Sequence, residues 1–115
     1  MSTESRKTKR IAFTLPIRKG MEEAYDKSHE QVWPEMLGLL SRCGVSEYSI
    51  FRRGTTLCLV MSIPAEDTFD QVWDRIEADE INTRWQKTTA PFFEPLTGLR
   101  QGERFPMMDE VFYMA

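Results

Sequence analysis

Histidine is almost missing from this chain: His29 is the only one in 115 residues. Cysteine is nearly as scarce, with Cys43 and Cys58 alone. One imidazole and two scattered thiols offer no metal-ligand spacing, so no metal site is expected. The thiols form no CxxC pair and read as reduced, buried small hydrophobes of a cytoplasmic protein. No apolar run approaches the ~20 residues that a membrane span requires. The opening stretch, MSTESRKTKR, is polar and unlike a signal peptide. Basic charge is not in excess either. The net charge is −3, whereas nucleic acid calls for a basic face. The basic clusters at residues 6–10 and at Arg52 and Arg53 read as a solvated tail and a solvated turn. Glycines are too scattered for a phosphate loop, and no nucleophile arrangement stands out.

What is present is the balance of an ordinary globular domain, with 41% hydrophobic and 29% charged residues. The length fits one domain, expected at residues 10–115 behind a polar leader at residues 1–9. Ile11, Phe13 and Leu15 alternate with Arg10, Ala12 and Thr14, the period of a strand that Pro16 ends. A helical stripe follows Gly20: Met21, Ala24, Tyr25, Ser28, Val32, Met36, Leu39, Leu40 and Cys43. Pro34 interrupts it, so the helix is expected to kink or restart near residues 31–34. Gly44 sits where a left-handed cap belongs.

Residues 45–51 and 56–63 read as a hairpin around an Arg53-Gly54-Thr55 turn. The run Leu57-Cys58-Leu59-Val60-Met61 suggests a strand buried on both faces. Phe69, Val72, Trp73 and Ile76 give an amphipathic helix. Asp79 caps a second one, with Ile81, Trp85 and Thr88 expected inward and Pro91 at its end. Residues 94–108 are rich in Gly and Pro and read as a long loop, and residues 110–114 as a last short strand. The expected class is α+β: a ferredoxin-like split βαβ antiparallel sheet with helices on one face. The sheet's uncovered face then calls for a partner, so a homodimer is expected.

Tyr25, His29 and Trp33 are four residues apart, which stacks side chains on one helix ridge. Imidazole is the side chain that gives and takes protons near neutrality. Phenol and indole supply flat walls with a hydrogen-bonding tip. Together they suit a sugar-sized pocket holding an acid–base group. The bland alternative is a partly buried structural histidine beside a core stripe, with Tyr48 and Trp85 as packing.

The segment Tyr25-x-x-x-His29-x-x-x-Trp33-Pro34-Glu35 resembles the L-rhamnose mutarotase family. So do Gly44-x-x-x-Tyr48-Ser49-Ile50, Arg84-Trp85 with Lys87, and the terminal Glu110-Val111-Phe112-Tyr113. The resemblance implies a dimeric ferredoxin-like fold of the α+β barrel type. It implies metal-free exchange of the α and β anomers of L-rhamnose, with His29 as proton donor and Tyr25, Tyr48 and Trp85 binding the sugar. Two departures bear on substrate choice. Gln86 stands where the family usually has a second Trp, and residues 94–100 replace an Asn-Pro-rich loop. On a helix Gln86 lies about 100° from Trp85, at the rim of a pocket Trp85 would floor, and is expected to contact the sugar. L-fucose is therefore a second candidate substrate. Opening and reclosing a hemiacetal ring breaks no carbon–hydrogen bond, so no cofactor is expected. One imidazole suffices as acid, with a water, a tyrosine or a carboxylate taking the other proton. The rival readings are a cofactor-free monooxygenase or isomerase on the same fold, and a sugar-binding dimer without catalysis.

Overall fold

A computed structural model describes residues 7–115; residues 1–6 of the expected leader lie outside the described residues. Four strands and four helices follow in the order β1 (Thr8–Pro16), α1 (Glu22–Ser28), α2 (Pro34–Arg42), β2 (Ser46–Arg53), β3 (Thr56–Pro64), α3 (Phe69–Glu77), α4 (Glu80–Thr89) and β4 (Met107–Met108). The sheet order is β2-β3-β1-β4, and each pairing is antiparallel. This is the expected ferredoxin-like α+β arrangement. β1 begins at Thr8, inside the stretch read as leader.

Strand period decides the two faces. Phe13, Leu57, Leu59, Met61 and Ile63 are buried under the helices. Between them Ala12, Cys58 and Val60 are only half-buried, on the opposite face. The apolar run of β3 is thus buried on one side only in the single chain, and Cys58 is not the interior thiol expected. In β2 the register slips between Ser46 and Ser49, and Glu47 takes φ +46°. That bulge inserts one residue, so Val45 before it and Tyr48 and Ile50 after it all turn toward the helices.

Pro34 does not kink a long helix; it begins a new one. It occupies the first turn of α2, where a missing amide hydrogen costs nothing. His29 caps the C-terminus of α1 instead of lying mid-helix. Ala24, read into the apolar stripe, is exposed. Asp79 does cap α4, its carboxylate accepting from the Ile81 amide at 2.8 Å. On that helix Asn82, Trp85 and Thr89 are buried, whereas Thr88 is exposed and Ile81 only half-buried. The inward face is therefore turned about one residue from the expectation. A full capping box at Thr68 and Gln71 starts α3.

Two contacts strap the long segment after α4 across the sheet. Phe105 stacks on Phe13 with ring centroids 4.9 Å apart. Arg104 reaches Asp74 at 2.6 Å on α3. Residues 110–114, expected as a strand, form none. The ladder between β4 and β1 stops at Ala12 and Phe13, and β-forming side chains make a strand only where a neighbour completes the ladder.

Gly44 ends α2 at φ +103°, and a Cβ there would meet the Pro64 ring at 2.8 Å. Gly44→Ala combines a left-handed backbone with a clash. It is expected to lower stability by more than about 1 kcal/mol, read as a reduced urea midpoint at unchanged slope.

Candidate active site

The break between α1 and α2 builds the site. α1 ends at Ser28, so the His29 ring leaves the helix and lies flat on Tyr25, with centroids 4.3 Å apart and planes 24° apart. Trp85 of α4 meets the imidazole edge-on at 5.6 Å. Trp33 does not continue the Tyr25–His29 ridge. It packs from outside against Trp85 at 5.1 Å. α1 is tied to the hairpin by a bidentate pair, Arg52 donating to both Asp26 oxygens at 2.7 and 2.6 Å. Arg52 is thus not the purely solvated turn residue expected.

A cavity of about 320 Å³ opens beneath these rings, and it is lined by Tyr25, His29, Tyr48, Trp85 and Gln86 together. The five residues expected to act on or bind the sugar meet at one place, whereas Trp33, the third member of the expected ridge, does not line it. Its apolar floor includes Phe13 and Leu59 of the sheet, and Phe93, Glu94, Leu96 and Phe105 close it from the C-terminal segment. A second compartment of about 330 Å³ shares His29, Tyr48, Trp85 and Gln86. His29 and Trp85 therefore stand at the junction of the two.

Hydrogen bonds set the imidazole's state. Ser28 Oγ donates its proton to the Tyr25 carbonyl at 2.7 Å. It can then only accept at its 2.8 Å contact with His29 Nδ1. Nδ1 also lies 3.2 Å from the Tyr25 carbonyl, which can only accept. Both contacts require hydrogen on Nδ1. In the neutral ring this leaves Nε2 as a lone-pair nitrogen, without a hydrogen-bond partner among the described residues. Burial lowers the His29 pKa from 6.5, against the opposing pull of the Tyr25 carbonyl and the Asp26 carboxylate. The ring is accordingly neutral at neutral pH. Burial also pushes the Tyr25 and Tyr48 phenols up, so both stay protonated as donors. Among the described residues no group of three or more His, Cys, Asp or Glu side chains is placed to hold a metal ion.

Sequence reasoning passed over Ser28, read as part of the core stripe, and the individual residues of the 94–105 wall. Nothing in local spacing marks a serine as the partner of the next residue's ring. The wall depends on where the segment folds back.

A profile of L-rhamnose mutarotase matches residues 10–114. The chain belongs to the L-rhamnose mutarotase family. It is 32% identical over 106 residues to the L-rhamnose mutarotase of Listeria monocytogenes, covering 92% of this chain and 98% of that one. The L-rhamnose mutarotase of Lachnoclostridium phytofermentans is 33% identical over 85 residues, 74% of this chain and 80% of its own. The crystal structure of L-rhamnose mutarotase from Formosa agariphila matches with a TM-score of 0.71 at 30% identity, covering 93% of this chain and 99% of that one. Within this mutarotase fold, Gln86 and the 94–100 segment both border the cavity, so the departures noted in the sequence fall on the site.

The lowered His29 pKa has a stability consequence. Below pH 6.5 the unfolded chain takes up a proton that the folded chain refuses, so stability falls with acidification from 6.5 down to the lowered value. Imidazole NMR is expected to show the Nδ1–H tautomer at pH 7 and a titration midpoint below 6.5. A higher midpoint contradicts the buried, neutral ring.

Proposed function

We propose that the chain interconverts the α and β anomers of L-rhamnose, with His29 as the acid–base group and Tyr25, Tyr48, Trp85 and Gln86 holding the sugar. The observation that carries this reading is the gathering of those five side chains around one cavity of about 320 Å³, at the small end for ligand pockets. The active unit is the single domain expected at residues 10–115, with Thr8 and Lys9 of β1 added to it.

The chemistry follows from the tautomer. Nε2 accepts the proton of the anomeric hydroxyl, the bond from the anomeric carbon to the ring oxygen breaks, and the ring oxygen takes a proton from a phenol or water. Rotation exposes the other face of the aldehyde. The ring oxygen attacks that face and gives back its proton, while the imidazolium returns its own to the carbonyl oxygen. His29 is thus the acceptor in ring opening and the donor in ring closure. The sequence-based expectation had placed donation at opening. The apolar floor suits the methyl end of a 6-deoxy sugar. Gln86 at the rim supports a second substrate reading, L-fucose, because an amide can pair with a hydroxyl of one epimer and leave the other unsatisfied.

The sheet's outer face supports a homodimer. Phe51 is 63% exposed there, and the terminal Val111 and Phe112 are 93% and 78% exposed. A second copy would bury these side chains and give residues 110–114 a surface to lie on. A cytoplasmic location fits two unpaired cysteines. No helix among the described residues is long and apolar enough to cross a membrane.

Saturation-transfer NMR with EDTA present is expected to show accelerated exchange of L-rhamnose anomers, with L-fucose measured alongside. His29→Asn is expected to slow it by a factor on the order of 10² to 10⁴. The wild-type rate should hold at neutral pH and fall in acid, as Nε2 becomes protonated. No acceleration on either sugar, or binding without exchange, would overturn the enzymatic reading. Sedimentation in dilute buffer is expected to give the mass of two chains, and a stable monomer contradicts the proposed use of the outer face.

A further inference from the structure

Among the described residues Glu94 is the only carboxylate on the wall of the cavity that Tyr25 and His29 line, and the other lining side chains are apolar or neutral polar. Its placement is fixed by backbone. The Glu94 amide donates to the Pro16 carbonyl at 3.1 Å, and the Arg18 amide donates to the Phe92 carbonyl at 2.7 Å. Between these, Ile17 and Phe93 form a β-bridge. The segment after α4 is thus stitched to the end of β1, which holds the Glu94 backbone at the cavity wall.

Arg18, which does not line the cavity, approaches one carboxylate oxygen at 3.6 Å. That is an ion-pair distance, too long for a hydrogen bond. The pair is half-exposed, and no side chain among the described residues takes the carboxylate's lone pairs in a hydrogen bond. Its position relative to His29 also matters. The second compartment shares His29, Trp85 and Gln86 but not Glu94. Glu94 therefore lines the first cavity alone, whereas His29, Trp85 and Gln86 line both.

Building on the mutarotase reading, we infer that Glu94 is a specificity-determining residue whose carboxylate accepts hydrogen bonds from two neighbouring hydroxyls of the sugar ring, away from the anomeric carbon. Two carboxylate oxygens match a pair of adjacent hydroxyl donors, and hydrogen bonds to an ionised acceptor are stronger than neutral ones. Such a grip is made equally before and during ring opening, so it acts on binding and not on the chemical step. It also selects configuration. An epimer with one hydroxyl turned away forfeits one of these two charge-assisted hydrogen bonds and leaves that oxygen to water.

The test is anomer exchange at varied L-rhamnose concentration for wild type, Glu94→Gln and Glu94→Ala, with melting curves as a folding control. Glu94→Ala is expected to raise KM roughly ten- to a hundredfold, with kcat moved far less. Glu94→Gln keeps one acceptor oxygen and is expected to fall between. Among the 2-, 3- and 4-deoxy analogues of L-rhamnose, the penalty of Glu94→Ala should shrink on the two lacking a gripped hydroxyl and persist in full on the third. An unchanged KM, a fall in kcat alone, or an equal penalty on every analogue overturns the assignment. Absence of exchange by the wild type overturns the mutarotase reading instead. NMR titration with L-rhamnose then decides Glu94 separately: binding weakened in Glu94→Ala supports it, and equal binding overturns it.

Discussion

Proline has no amide hydrogen, and its ring collides with the preceding helical turn. In this chain that constraint, acting at Pro34, sets the geometry of the whole site. It stops one helix at Ser28 and starts another. The five residues between are released from the helical path, and His29 sits at the cap. An unbroken helix would keep the imidazole in register with Tyr25 and Trp33. The break lets it lie flat on Tyr25 while Trp33 moves behind Trp85. The ring is then held by three different kinds of contact: a stacked phenol, an indole edge and the Ser28 hydroxyl.

Those contacts tune the imidazole in one direction. Aromatic neighbours remove water from it, which disfavours its charged form. The Ser28 hydroxyl and the Tyr25 carbonyl fix hydrogen on Nδ1 and leave Nε2 open. A neutral ring with a defined tautomer suits a reaction that must run equally well in both directions. Each proton taken in opening is returned in closing, and neither state of the group should be a trap. The cavity walls contribute the rest: an apolar floor from the sheet, phenols kept protonated by burial, and one carboxylate at the C-terminal side.

The sheet divides its labour between two faces. The helix side is a complete core, reinforced by the Phe13, Phe69, Trp73 and Phe105 rings. The other side carries Cys58, Val60 and an exposed Phe51, with the terminal residues beyond it. A single antiparallel layer covered on one face only leaves such a surface, and association is the usual way to bury it.

Much of this was legible from the residues alone. Alternation gave β1 and the hairpin, the i, i+3, i+4, i+7 pattern gave α3, and Asp79 and Gly44 marked real caps, because each is a local rule of backbone geometry. Tyr25, His29, Tyr48, Trp85 and Gln86, the residues expected from the sequence to form a site, line one cavity, three of them expected through a family pattern that spacing alone does not interpret. Other features depended on contacts between distant segments. The bulge at Glu47 turns Tyr48 inward, and no composition rule announces it. Which face of α4 points inward depended on packing against α2 and α3. The strand expected at residues 110–114 needed a neighbouring strand that the single chain does not offer. The tautomer of His29 required a serine, a carbonyl and a ring to be placed in space. Glu94 came to the cavity because a loop remote in sequence bonds to the end of β1. Sequence determined what each segment can do locally, and tertiary structure alone decided which segments meet, because hydrogen bonding and desolvation act between atoms that the chain brings together only when folded.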